Sequence, residues 1–255
     1  MKIFIFVLTA CCILSGCSED STSQKNSASQ QKKTTQAPDT SKRAEPVRWP
    51  PSAEDQESIV IADTLIQKNY VLVFDGSGSM GQKGCSGNKT KSAAAKEAVS
   101  DWAQSVPADA HLGLVAFDQS GFSVRLQLGQ ENRQEFIQQV EAIIPGSTTP
   151  LTKSLQTAYD ILTQQARSQL GYGEYHLVIV TDGVANEPQR LTEAVNTVLQ
   201  GSPIMISTIG FCIATTHSLN QPGRTMYKAA DNPVALRQGL QEVLAESESF
   251  DVIDF

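Results

Sequence analysis

The sequence is short of basic residues and of long hydrophobic runs. Its 255 residues hold 20 Lys and Arg against 27 Asp and Glu, a formal net charge of −7 at pH 7. This balance, without a long basic run, argues against nucleic acid or an anionic membrane surface as the main partner. Beyond the N-terminal segment, no apolar stretch is long enough to cross a bilayer as a helix. No long internal repeat occurs. The roughly 200 residues that follow the N-terminal segments fit one domain with a sizeable core.

The N-terminal segment has the features of an export signal. Lys2 precedes an apolar stretch from Ile3 to Leu14, and the segment ends in Leu14-Ser15-Gly16-Cys17. This ending resembles the lipobox of bacterial lipoproteins, in which the cysteine is acylated and becomes the mature N-terminus. We expect a signal peptide over residues 1–16 and a lipid anchor on Cys17; an ordinary signal peptide that happens to contain cysteine is the alternative. Ser18 replaces the aspartate that commonly retains such proteins in the inner membrane, which favours the outer membrane of a bacterial cell envelope.

Residues 17–57 are predicted to form a disordered tether behind the lipidated cysteine. They are rich in Ser, Thr, Gln, Lys and Pro, and they have few large apolar side chains to bury. Near its end, Trp49-Pro50-Pro51 has two interpretations, a segment that docks on the domain or a stiff linker. We expect the folded domain over residues 58–248 and a C-terminal tail over residues 249–255.

Cysteine is scarce, and its distribution is informative. Of the 5 Cys, Cys11 and Cys12 would leave with the signal peptide, and Cys17 would be lipidated. Cys85 and Cys212 remain, and two thiols in an exported domain suggest a disulfide; two unrelated thiols are the alternative. With no other cysteine available and the 3 His scattered, a zinc site is not expected.

Apolar β-type runs alternate with amphipathic helical patterns in the domain. The runs cover residues 69–74, 111–117, 122–128, 175–181, 203–211 and 225–229. Several are apolar on both faces, as buried parallel strands are, and the second and third are close enough to pair as a hairpin. The alternation predicts an α/β fold with a doubly wound, mostly parallel central sheet, flanking helices and one antiparallel edge strand.

Three loops of this predicted sheet carry oxygen-bearing side chains. Asp75-Gly76-Ser77-Gly78-Ser79 directly follows the first strand, Thr149 precedes a helix as its predicted N-cap, and Asp182 follows a strongly apolar strand. Ligands of such sheets bind at the carboxyl ends of the strands, so these side chains should face one site. Carboxylates and hydroxyls are hard oxygen ligands, which suit Mg²⁺.

At these residues the chain resembles a von Willebrand factor A domain, over roughly residues 60–248. The metal-ion-dependent adhesion site of that family consists of DxSxS, a distant threonine and a distant aspartate. The resemblance assigns these roles to Asp75, Ser77, Ser79, Thr149 and Asp182, with Thr148 as the alternative threonine. It implies a Mg²⁺ site, with Mn²⁺ and Ca²⁺ as alternatives, that leaves one coordination position for an acidic side chain of a protein ligand.

Two nucleotide-binding interpretations of the first motif fail on neighbouring residues. Gly76 to Gly81 satisfies GxGxxG, but Asp75 would repel a pyrophosphate and no strand-ending acidic residue lies about 20 positions on. A phosphate loop ending at Lys89 lacks the required glycine, because Asn88 stands in its place. We therefore expect no nucleotide.

Two enzymatic interpretations are also weak. An aspartyl phosphatase needs a second carboxylate where Ser77 stands, and a serine hydrolase needs a histidine base beside its nucleophile. His111 and His176 are predicted at the opposite end of the sheet, and we expect His217 at the surface. Recognition is therefore favoured over catalysis.

The sequence thus predicts a membrane-tethered lipoprotein whose metal site serves protein–protein interaction or adhesion in the cell envelope. One alternative is a structural or assembly lipoprotein in which the metal mainly stabilises the fold. A metal-dependent hydrolase is the less favoured alternative. A Cys85–Cys212 bridge would brace residues 81–90 at the rim of the site.

Overall fold

Strands and helices alternate along the domain, as the apolar pattern predicts. The computed structural model describes residues 48–52, 59–213 and 215–248, all within a compact unit that begins at Pro46. The strands are β1 Lys68–Asp75, β2 His111–Asp118, β3 Gly121–Gly129, β4 Glu174–Thr181, β5 Met205–Phe211 and β6 Met226–Ala230. The helices are α1 Lys91–Ser105, α2 Arg133–Glu141, α3 Leu151–Ser168, α4 Pro188–Gly201 and α5 Pro233–Glu248, with a short 3-10 helix at Gly78–Gly81. The predicted signal peptide, Cys17, most of the tether and the tail lie outside the described residues.

The six strands form one sheet in the order β3-β2-β1-β4-β5-β6. All neighbouring pairs are parallel except β2 and β3, which form an antiparallel hairpin at the edge. The predicted fold class is therefore confirmed. The strand order reverses direction between β1 and β4, and the crevice at such a switch point is where ligands bind in open α/β sheets.

Helices cover both faces of the sheet, which explains the unbroken apolar run of β1. Tyr70, Leu72 and Phe74 point into a core shared with α1, α2 and α5. The alternate residues Val71 and Val73 point into a second core shared with α3 and α4. Successive side chains of a strand face opposite sides, so a strand buried on both faces needs apolar residues at every position.

The Trp49-Pro50-Pro51 segment packs on the domain, which settles the interpretation that the sequence left open. The Trp49 ring lies edge-on to Tyr175, with ring centroids 4.8 Å apart. Arg167 donates a hydrogen bond from Nε to the Pro51 carbonyl at 3.0 Å. Tyr175 is the second residue of β4, so this contact lies near the amino ends of the strands.

Within the described residues, no helix has the length and apolar character needed to cross a membrane.

A disulfide joins Cys85 and Cys212, across 127 positions of sequence. Cys85 lies in the loop between the 3-10 helix and α1, and Cys212 directly follows β5. The predicted pairing is confirmed. The bridge attaches the loop of residues 82–90 to the carboxyl end of the sheet.

Removing this bridge should lower the free energy of unfolding. A Cys85→Ala/Cys212→Ala variant should lose up to about 4–5 kcal/mol, because a cross-link across so long a loop restricts the unfolded chain. Urea unfolding of the oxidised wild type and the variant measures the difference. A reductant should destabilise the wild type and leave the variant unchanged; equal stability of variant and oxidised wild type would contradict the prediction.

Candidate metal centre

The first part of the candidate site lies at the carboxyl ends of the two central strands. Asp75 is the last residue of β1, and Asp182 directly follows β4. The two strands pair in parallel, with Phe74 opposite Val180. Both carboxylates therefore lie at the same edge of the sheet, at the switch point, and both are buried, with 0 % exposure for Asp75 and 5 % for Asp182.

A tight turn after β1 brings two serine hydroxyls to the same place. A Cβ on Gly76 would lie 2.7 Å from the Phe117 carbonyl oxygen, so only glycine fits there. The backbone N–H of Ser77 donates to Asp75 Oδ1 at 2.8 Å. The hydroxyls of Ser77 and Ser79 lie 3.0 Å apart, and Ser79 donates to Asp182 Oδ1 at 2.7 Å. The serines thus link the two carboxylates.

Thr149 contributes the oxygen of the third loop. A Cβ on Gly183 would lie 3.8 Å from Thr149 Oγ1 and 4.0 Å from both Asp75 Oδ2 and Ser79 Oγ. These three oxygens therefore surround one small volume. Helix α3 begins at Leu151 with Pro150 as its cap residue and no side-chain cap bond. The predicted N-cap role of Thr149 is therefore wrong, and its hydroxyl is directed to the site instead.

The structure thus brings all five predicted site residues together, from three separate loops. Thr148, the alternative threonine, is exposed, whereas Thr149 is half-buried. Asn186 holds both backbone groups of Thr149: its N–H donates to the Thr149 carbonyl at 3.3 Å, and its Oδ1 accepts the Thr149 N–H at 3.4 Å. The threonine loop is therefore tied to the segment that follows Asp182.

Thr181 is a supporting residue that the sequence analysis missed. Its hydroxyl donates to Asp75 Oδ2 at 2.5 Å, and it accepts the Gly183 N–H at 3.2 Å. Burial raises the pKa of the Asp75 carboxyl, the bonds from Ser77 and Thr181 oppose that rise, and the charge of Asp182 adds to it. Burial thus disfavours the charged form of Asp75, and a nearby positive charge would stabilise it. The only sequence signal was the position of Thr181 directly before Asp182.

Lys91, the first residue of α1, was also missed. Its ammonium forms an ion pair with Asp182 Oδ2. Apart from this pair, no hydrogen-bond donor among the described residues reaches that oxygen. Nothing in the sequence distinguishes Lys91 from Lys83, Lys89 or Lys96 nearby, because only the start of the helix determines which lysine meets the aspartate.

His217 is buried, so the predicted surface position is wrong. Its Nδ1 accepts the Leu219 N–H at 3.1 Å, and its Nε2 lies 3.0 Å from the Gly183 carbonyl oxygen. Since Nδ1 accepts, Nε2 carries the proton and donates. Burial lowers the pKa of the imidazole, and the bond to Gly183 acts in the opposite direction. His217 therefore holds the loop that carries Asp182, from a segment distant in sequence.

The donor set suits a small hard cation. It consists of two carboxylates and three hydroxyls, all oxygens, at the end of a sheet. The described part of the chain contains no cluster of three or more His, Cys, Asp or Glu side chains, so nitrogen and sulfur ligands that favour zinc do not gather elsewhere in it. The residues present therefore fit Mg²⁺ or a similar ion.

Replacing Thr181 with valine tests how far the site depends on it. Thr181→Val keeps the shape but leaves Asp75 Oδ2 without its donor, so we expect a loss of about 1–3 kcal/mol in the free energy of unfolding. Thr208→Val in β5 is the matched control, because both threonines have 0 % exposure and the Thr208 hydroxyl has no partner among the described residues. Urea unfolding in EDTA measures both. Equal effects of the two substitutions would contradict the prediction.

Comparison with solved structures shows the same fold in other proteins. The vWF domain of the type V pili tip protein Mfa5 from Porphyromonas gingivalis is 12 % identical, with a TM-score of 0.58 over 76 % of this chain and 98 % of that one. The pilus adhesin SpaC from Lactobacillus rhamnosus GG is 15 % identical, with a TM-score of 0.57 over 73 % of this chain and 31 % of that one.

A von Willebrand factor type A protein from Catenulispora acidiphila is 19 % identical, with a TM-score of 0.56 over 74 % of this chain and 47 % of that one. This chain thus spans less than half of the length of this protein and of SpaC. No curated protein matches the sequence. The family model described as von Willebrand factor type A domain matches residues 69–242, which include the whole candidate site, and the chain belongs to that family.

Proposed function

We propose that this domain binds a divalent cation, Mg²⁺ first, and through it an acidic side chain of a protein partner. Asp75, Ser77, Ser79, Thr149 and Asp182 would hold the ion. The observation that carries the proposal is the convergence of oxygens from three loops beside Gly183, with Ser77 bonded to Ser79 and Ser79 donating to Asp182. The fold family and the chemistry of the donor set point to the same ion.

The donor set also favours recognition of an acidic group. Three of the five donors are neutral hydroxyls, so only Asp75 and Asp182 offset the charge of the cation. A bound divalent cation would supply an electrophilic centre that accepts a carboxylate oxygen. Thr181 and His217 keep the loops of Asp75 and Asp182 in position, so the protein's own contribution is a preorganised set of oxygens.

Exposed apolar side chains on two of the three loops support a protein as the partner. Val184 follows the Asp182-Gly183 turn and is 58 % exposed, and Ile144 precedes the threonine loop and is 56 % exposed. Protein interfaces combine apolar and polar side chains in one patch. Two of the structural neighbours are a pilus adhesin and a pili tip protein, and adhesion is the corresponding role we propose here.

The serine contacts favour binding over hydrolysis. In the described part of the chain, the hydroxyls of Ser77 and Ser79 bond to each other, and the Ser79 hydroxyl donates to Asp182. The ring nitrogens of His217 contact Gly183 and Leu219 instead. A serine nucleophile needs a base within hydrogen-bond reach, and no histidine takes that role.

The cell envelope is the location we propose for this interaction. The lipobox-like ending at Cys17 supports a lipid anchor, and the disulfide between Cys85 and Cys212 is typical of a protein that matures outside the reducing cytoplasm. The outer membrane is favoured because Ser18 follows the anchor cysteine. The tether would then keep the domain attached to the membrane surface.

Calorimetric titration with Mg²⁺ tests the metal site directly. Asp75→Asn removes one of the two negative charges with little change in shape, and it should weaken Mg²⁺ binding by about 10–100-fold or more. Asp109→Asn is the matched control. Asp109 is exposed and lies just before β2, at the amino ends of the strands and so at the opposite end of the sheet from the site. Equal Mg²⁺ affinity in wild type and Asp75→Asn would refute the site.

Crosslinking in intact envelopes tests the partner. With Mg²⁺ present, wild type should form a crosslink to a partner protein. This crosslink should be absent in EDTA and in Asp75→Asn, because the carboxylate of the partner binds through the cation. If Mg²⁺ raises the melting temperature strongly but no crosslink depends on it, the cation serves the fold, and the recognition role is wrong.

A further inference from the structure

The ion pair between Lys91 and Asp182 is more buried than the other lysine pairs near the site. The side chains are 11 % and 0 % exposed. Two positions earlier, Lys89 pairs with Glu97, and those side chains are 54 % and 43 % exposed. Charges inside a protein are screened much less than charges at its surface. The charge of the Lys91 ammonium is therefore screened less by solvent than that of Lys89.

Lys91 is held in place by the loop of residues 82–90, which the disulfide attaches to the sheet. The backbone N–H of Lys91 donates to the Gln82 carbonyl at 2.9 Å. A Cβ on Gly84 would lie 3.8 Å from both Lys91 Cδ and Cys212 Sγ, so the aliphatic stem packs beside the bridge. Thr90 caps α1 by accepting the Ala93 N–H at 3.2 Å, which fixes the turn from which Lys91 projects.

The charge of Lys91 changes what the proposed site favours. Without it, Asp75 and Asp182 together would neutralise a divalent cation, and the loaded site would have no net charge. With it, the loaded site carries one net positive charge, which a single carboxylate from a partner would neutralise. The same ammonium repels the incoming cation and competes with it for Asp182 Oδ2.

We propose that Lys91 is a specificity-determining residue of the site, which weakens cation binding and strengthens the binding of an acidic group to the loaded domain. The inference rests on the proposed function, since it concerns the same site. Binding has two steps, first the cation and then the carboxylate. Loss of the ammonium should raise the affinity for the cation and lower the affinity for the carboxylate.

Calorimetry with two neutral variants tests the first step. Lys91→Met and Lys91→Gln should bind Mg²⁺ at least about tenfold more tightly than wild type, because the repulsion is removed. Lys89→Met, with the same loss of charge at an exposed position, should bind as wild type does. The glutamine variant can still donate a hydrogen bond to Asp182, so it keeps the test valid if the methionine variant does not fold.

Thermal unfolding gives a second measure that does not depend on a partner. In EDTA the two Lys91 variants should melt below wild type, because the buried Asp182 carboxylate loses its opposite charge. A fixed, saturating Mg²⁺ concentration should raise their melting temperatures more than that of wild type, because the stability added by binding grows with the logarithm of the affinity.

Acetate, as the carboxylate probe, tests the second step. With the protein loaded with Mn²⁺, displacement of bound water by acetate lowers the water-proton relaxation rate. Acetate should bind several-fold more weakly to the Lys91 variants than to wild type and Lys89→Met. Unchanged or weaker Mg²⁺ affinity in both neutral variants, or unchanged acetate affinity, would overturn the inference while the proposed function stands. Absence of Mg²⁺ binding in wild type would overturn both.

Discussion

Two carboxylates buried side by side at the ends of the central strands are the constraint on which this domain depends. Asp75 and Asp182 lie where water cannot solvate them, and uncompensated buried charge is costly. The surrounding residues offset that cost: Thr181 and Ser79 donate hydrogen bonds, and Lys91 supplies an opposite charge. The polar side chains at this end of the sheet therefore serve to stabilise two buried negative charges.

The fold places these two carboxylates where loops from distant parts of the sequence meet. Because the strand order reverses between β1 and β4, the loops after those strands diverge and leave a crevice between them. The 3-10 helix after β1, the threonine loop before α3 and the turn after β4 all open at that crevice. Close backbone contacts at Gly76 and the bond from His217 to Gly183 fix their positions.

Much of this arrangement could be predicted from the sequence, and the exceptions share a physical cause. Strand and helix periodicity depends on neighbouring residues, so the alternation and the edge hairpin could be predicted. The five oxygen donors come from motifs that are local to their loops. Lys91, His217 and the docking of Trp49 on Tyr175 depend on contacts between distant segments. No local pattern marks them. The N-cap prediction for Thr149 failed because it considered only the start of α3, whereas the Thr149 hydroxyl lies beside oxygens from two other loops.

The disulfide has a consequence for how the chain would respond to a protease. Cys85 and Cys212 enclose four helices and four strands, β2 to β5. A single cut in any loop between them, such as the turn joining β2 and β3, leaves both fragments covalently attached. The carboxyl end of β5 then stays bound to the loop that follows the first motif, and the pieces would separate on a gel only after reduction. A cut at one exposed loop thus does not separate the two halves of the domain.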